Sequence, residues 1–184
     1  MTAVNLLEEL RATGALLEGH FLLRSGLHSR QFLQCALLLQ HARLASRVCG
    51  ALAERVRPLS FSTVLSAALG GIPVGQELAR HLDRRHIYTE KEGSRLFLGR
   101  FTISPDESLL VAEDVVTTGG AVREVMAAAR RAGGRIAGIA CLVDRSPEPI
   151  DFGVPFFSLL RLPIEVFPPD RLPEDLQKIP AVRP

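Results

Sequence analysis

Two rhythms of apolar residues alternate along the chain, the three-to-four-residue spacing of an amphipathic helix and short unbroken runs, and together they predict an α/β fold. Asn5 can cap a helix reaching about Thr13, with Leu6, Leu7 and Leu10 on one face and Gly14 as its stop. Residues 19–35 read as two short strands about the Ser25-Gly26 turn, a hairpin or small flap. A helix from about His41 to Arg55 precedes a buried strand, Thr63–Ala67, that runs into Ala68-Leu69-Gly70-Gly71; Ile72–Leu82 is the next helix. His86–Thr89 is another strand, and Leu96-Phe97-Leu98 with Phe101 forms a further segment beyond a polar loop, Glu90–Arg95. Leu109–Ala112, a helix over 120–132 stopped by Gly133-Gly134, and a strand Ile136–Val143 complete the alternation. From Pro163 onward the chain holds six of its twelve prolines, which predicts extended irregular chain lying on the domain. The expected architecture is a central, mainly parallel sheet flanked by helices, in a single domain over 1–184. Its parts are a helix and flap over 1–40, an α/β core over 41–160 and a Pro-rich extension over 161–184.

One run concentrates the chemistry. Leu109 to Ala112 suits a strand buried on both faces, which delivers its carboxyl end to a ligand crevice. Glu113 and Asp114 follow at once, and two neighbouring carboxylates there repel each other and resist desolvation unless hydroxyl donors or a cation meet them. A ribose diol with Mg²⁺ nearby does both. Thr117 to Ala121 then supplies two hydroxyls and two glycines before the helix, so free amides and the positive end of the helix dipole converge on a turn that binds phosphate without a lysine. Neither a P-loop nor a dinucleotide fingerprint occurs.

At these residues the chain resembles the type I phosphoribosyltransferase family, whose signature is a hydrophobic strand, two acids, two apolar residues and a Thr/Gly-rich turn. The resemblance implies a type I phosphoribosyltransferase-like fold with a small amino-terminal flap, or hood. It also implies that Glu113 and Asp114 hold the ribose hydroxyls of 5-phosphoribosyl 1-diphosphate. Val115, Val116, Thr117, Thr118, Gly119, Gly120 and Ala121 form the rest of the signature, the turn from Thr117 cradling the 5′-phosphate.

The acceptor is sought outside that signature. Residues 21–26 and Ser29 resemble the flap of the orotate phosphoribosyltransferase family, which implies donor contact by Arg24 and an approach to the base by Phe32-Leu33. Leu33 cannot stack, so stacking falls to Phe32. The same resemblance implies a diphosphate loop at Leu69 and Gly70, and an Arg145 that binds the orotate carboxylate; a guanidinium can hold a planar carboxylate through two hydrogen bonds. It assigns catalytic and donor-binding roles to Lys91 and Arg95, and a base-side role to Thr117. The implied activity is a pentosyltransfer giving orotidine 5′-monophosphate and diphosphate in pyrimidine nucleotide synthesis. Mg²⁺ is then carried mainly by the substrate diphosphate near Glu113 and Asp114, with no direct protein metal site, and a homodimer shares its active sites. The alternatives are a purine or xanthine phosphoribosyltransferase, and a regulatory protein built on the same fold.

Composition narrows the partners. A net charge of +2 with scattered arginines gives no footprint for nucleic acid or membrane binding, so small-molecule substrates are expected. Cys35, Cys49 and Cys141 are widely spaced and form no C-x-x-C or His/Cys cluster, which predicts a cytoplasmic protein without disulfides or zinc. The amino terminus carries acids where an export signal has a basic region and an apolar core, and no stretch of about 18 apolar residues follows. The five histidines share no metal-ligand spacing and read as surface or packing residues.

Overall fold

The computed structural model describes residues 4–23, 25–93 and 95–183 and, of Glu92 and Arg95, the backbone only. Asn5 caps α1 (Leu6–Ala12) by accepting the Glu8 amide, and Leu6 and Leu10 are buried as their spacing requires. β1 (Leu16–Leu22) and β2 (His28–Leu33) form the antiparallel hood. A short helix, α2 (Ala36–Leu39), leads into α3 (Ala42–Val56).

The central sheet is built from β3 (Thr63–Ser66), β4 (Arg85–Tyr88), β7 (Ser108–Val116), β8 (Arg135–Asp144) and β9 (Phe156–Arg161), all parallel. Between them lie α4 (Gly71–Leu82), a two-stranded hairpin of β5 (Glu90–Glu92) and β6 (Arg95–Phe97), and α5 (Gly120–Arg131). Successive side chains of a strand face opposite ways. Leu110, Ala112, Ala140 and Leu142 therefore pack with α1, α3, α4 and the hood, whereas Leu109, Val111, Ile139 and Cys141 pack with α5 and Leu96 of the hairpin. The hood thus shares a core with the sheet through Leu16 and Leu33.

The strand order is β4-β3-β7-β8-β9. After β3 the chain moves to one side of the sheet for β4 and then returns past it for β7, so the order reverses between β3 and β7. Ligands of open parallel sheets bind at the carboxyl ends of strands beside such a reversal.

Four elements differ from the sequence expectation. β7 does not stop at Ala112 but continues through Glu113 and Asp114 to Val116, because β8 supplies ladder partners as far as Asp144. The polar loop over 90–95 is a hairpin in which Lys91 pairs with Leu96, closed through Gly93 at φ +59°. β9 has no counterpart in the hydrophobic reading: it is an edge strand of mostly half-buried residues and has no long apolar run. The tail is less irregular than its prolines suggest, since β10 (Val166–Phe167) pairs with β2, a 3₁₀ turn spans Pro169–Arg171 and α6 spans Glu174–Gln177. No helix among the described residues is long and apolar enough to cross a membrane.

Candidate active site

Two loops meet where the strand order reverses. One joins β3 to α4, the other β7 to α5. Neither helix has a side-chain cap at its amino terminus, unlike α1, so the first-turn amides of α4 and α5 remain available to an anion.

The loops approach so closely that only glycine fits. A Cβ on Gly70 would lie 2.6 Å from Asp114 Oδ2, and one on Gly71 would lie 2.7 Å from the Ala112 carbonyl and 3.0 Å from Glu113 Oε1. Glu113 Oε1 accepts the Asp114 amide at 3.1 Å, and Asp114 Oδ1 accepts the Val115 amide at 2.9 Å. Glu113 is buried, and desolvation, followed by the charge of Asp114, pushes its carboxyl up to about 9. No ion pair neutralises either acid among the described residues. The site is thus a pair of acids in which burial and mutual repulsion disfavour the second negative charge, a penalty that hydroxyl donors or a cation would relieve.

Beyond the acids, Glu113 and residues 115–122 line a cavity of about 190 Å³. Thr117 and Thr118 are exposed on it. Gly119 sits at φ +76°, the left-handed conformation that turns the chain into α5, and a Cβ there would strike the Phe152 ring at 2.8 Å. Phe152 and Ile150 thereby support the turn from behind, a role their sequence context did not signal.

Arg145 follows the last residue of β8, and its amide donates to the Val116 carbonyl at 2.8 Å, placing it beside the start of the turn. Its side chain is only 9% exposed and its Nε has no hydrogen-bond partner, the one such buried side-chain atom among the described residues. Burial lowers the guanidinium pKa. Neighbouring Asp144 does not answer it: Asp144 Oδ1 accepts the amide and hydroxyl of Ser146, and Oδ2 faces Arg161 at 3.8 Å. An unpartnered buried cationic nitrogen costs on the order of 1–3 kcal/mol or more, so the arrangement favours an anionic ligand.

The other predicted residues divide. Leu69 is 82% exposed at the mouth of the β3–α4 loop. Phe32 and Leu33, adjacent on one strand, point to opposite faces. Leu33 is built into the core, which removes it from a shared base pocket; Phe32 is half-buried against Phe21, ring centroids 5.9 Å apart. Lys91 is exposed on the hairpin and forms no ion pair with the acids. Arg24 and the side chain of Arg95 lie outside the described residues. A larger cavity, about 530 Å³, opens between the hood and the tail, but Arg30 within it is already paired with Glu165 and Asp175. It holds no unanswered cation.

The phosphoribosyl transferase domain family matches residues 36–151, a span that contains the Gly70-Gly71 loop, the run from Glu113 to Ala121 and Arg145. An orotate phosphoribosyltransferase of Pelotomaculum thermopropionicum is 45% identical over 185 residues, covering 100% of this chain and 97% of the relative. That of Carboxydothermus hydrogenoformans is 43% identical, covering 92% and 91%. The crystal structure of orotate phosphoribosyltransferase from Aeropyrum pernix superposes with a TM-score of 0.69 at 27% identity, over 85% of this chain and 93% of that one. This chain belongs to the phosphoribosyltransferase family, within its orotate phosphoribosyltransferase group.

Proposed function

We propose that the protein transfers the 5-phosphoribosyl group from 5-phosphoribosyl 1-diphosphate to orotate, giving orotidine 5′-monophosphate and diphosphate. The observation that carries the choice of acceptor is Arg145, a buried guanidinium with an unanswered Nε beside the phosphate turn. A planar carboxylate answers it through two charge-assisted hydrogen bonds; a purine lacks that group. The relatives at 43–45% identity over nearly the whole chain support the same reading.

Glu113 and Asp114 accept the ribose hydroxyls. The amides of residues 117–121 hold the 5′-phosphate, and the uncapped start of α4 with Leu69 and Gly70 receives the diphosphate. Arg145 and Thr117 aim orotate N1 at the anomeric carbon, with Phe32 against the base. N1, as an anion, forms the new bond while the bond from that carbon to diphosphate breaks and its electron pair leaves with diphosphate. No protein nucleophile is required: catalysis rests on positioning and on charge neutralisation of the leaving group, to which Arg24, Lys91 and Arg95 contribute.

No cluster of three or more potential metal ligands occurs among the described residues, and the site offers two adjacent carboxylates. That donor set suits Mg²⁺, which keeps water and substrate oxygens as ligands; Glu113 and Asp114 would help to hold it. Bound there, it would supply charge neutralisation to the diphosphate. Lys91 and Gly93 at the end of the hairpin are exposed, which supports its reaching a second copy of the chain in a two-fold dimer. The three cysteines are buried and free, in keeping with a cytoplasmic setting.

Loss of ultraviolet absorbance with orotate, donor and Mg²⁺ tests the reading. Arg145→Ala should raise the KM for orotate at least about tenfold and leave that for the donor nearly unchanged. Turnover with adenine, hypoxanthine or xanthine and none with orotate would overturn it.

A further inference from the structure

Behind the β3–α4 loop lies a buried polar network that the reaction as described does not use. Thr89 is fully buried at the point where β4 ends and the chain enters the hairpin. Its amide donates to the Ser66 carbonyl at 2.9 Å, extending the ladder between β3 and β4 by one bond. Its hydroxyl donates to the same carbonyl at 3.3 Å and accepts the Ala68 amide at 3.4 Å. One hydroxyl thus bridges the last residue of β3 and the first turn of the loop that presses on Glu113 and Asp114.

Ser66 is held from its other side as well. Its Oγ lies 2.9 Å from His86 Nε2, and His86 Nδ1 lies 3.2 Å from Gln76 Oε1 on α4. Burial lowers the His86 pKa to about 4, so the ring is neutral near pH 7. Since Gln76 Oε1 only accepts, Nδ1 carries the proton, and Nε2 accepts from the Ser66 hydroxyl. α4 can come this close only because Gly75 lacks a side chain: a Cβ there would fall 1.8 Å from Ser66 Oγ. The next residue after Thr89 is also fixed, Glu90 pairing with Arg100 at 2.6 Å and filling the space beside Gly99. The stem of the hairpin and the base of the loop therefore share one anchor.

We propose that Thr89 is a positioning residue of the transfer reaction, whose hydroxyl holds the Ala68–Gly71 loop in its diphosphate-binding shape and ties that loop to the hairpin carrying Lys91. The inference rests on the diphosphate assignment made above. Thr89 touches no substrate; it acts through the Ala68 amide and the Ser66 carbonyl. Replacing the hydroxyl by a methyl group leaves that half-buried amide without its acceptor and frees the loop to shift off the acids. Loss of the hydroxyl should weaken donor and diphosphate binding selectively, since Arg145 is held at the end of β8 and Phe32 on β2.

The test compares Thr89→Val with Thr89→Ser, and with Thr89→Ala should the valine variant fail to fold by circular dichroism. Removing the hydroxyl should raise the KM for the donor about tenfold and weaken calorimetric binding of inorganic diphosphate with Mg²⁺ by a similar factor, with the KM for orotate changed less than about twofold. Thr89→Ser should restore both to within about threefold of the natural protein. Donor KM and diphosphate affinity unmoved in the valine or alanine variant, both substrates affected alike, or no rescue by serine would overturn the proposal. If the natural protein does not turn over orotate, the acceptor assignment fails, and the diphosphate titration alone decides for or against Thr89.

Discussion

Gly70 and Asp114 occupy a space with no room for one more carbon: a Cβ on Gly70 would lie within 2.6–2.7 Å of all three atoms of the Asp114 carboxyl group. The contact joins the loop after β3 to the end of β7, and it sets the distance between the proposed diphosphate and ribose subsites. Gly70→Ala should therefore force Asp114 from its bond to the Val115 amide. The expected result is a donor KM raised by about tenfold or more at an unchanged orotate KM, with a loss of stability of about 1–3 kcal/mol by denaturant unfolding. An alanine variant with natural donor KM would show that the loop has room to spare.

Glu113 predicts a proton linkage. Its carboxyl titrates near 9 in the folded protein because burial, then the charge of Asp114, disfavours the anion, against 4.5 for an ordinary glutamate. A folded pKa above the unfolded one means that its contribution to stability is complete below about pH 4.5 and is lost as pH rises toward 9. The donor contact proposed for Glu113 calls for the carboxylate form, so donor binding should release about one proton per site near pH 7–8 and tighten as pH rises. Calorimetry in buffers of different ionisation enthalpy measures that release; a binding enthalpy independent of buffer would contradict it. Glu113→Gln should remove the loss of stability between about pH 4.5 and 9 and bind donor more weakly.

The tail predicts a dependence of the hood on the last residues of the chain. His20 Nδ1 donates to the Ile179 carbonyl at 2.7 Å and His20 Nε2 meets His28 Nδ1 at 2.6 Å. The Val182 amide donates to the His20 carbonyl, and the Leu22 amide to the Val182 carbonyl, each at 2.9 Å. Truncation after Gln177 removes the bonds to Ile179 and Val182 and uncovers a buried histidine. A loss of about 2–4 kcal/mol is expected, with faster amide exchange over residues 20–28. Exchange unchanged in that segment would mean the hood stands without the tail.

Much of the site is local and hence legible from the chain. The run from Leu109 to Ala121 is one unbroken strand, acid pair and turn, so its residue types alone announce a crevice suited to the diol and phosphate proposed above. Amphipathic spacing likewise announces α1, α3, α4 and α5, because burying one face is what stabilises them. β9 and the hairpin over 90–97 escape such a reading: an edge strand is half-exposed, and Glu90-Lys91-Glu92 is indistinguishable from a solvated loop until Leu96 finds the face of α5.

The amino-acid sequence by itself determined the local chemistry of this protein: which strands are apolar, where two acids stand together, and which turn can hold phosphate. Only the tertiary structure decided that Gly70 meets Asp114, that Arg145 is buried with a nitrogen unanswered, and that Thr89 anchors a loop from behind. Those relations depend on the strand order and on desolvation, and both arise from packing among segments far apart in the chain, where no local pattern of residues records them.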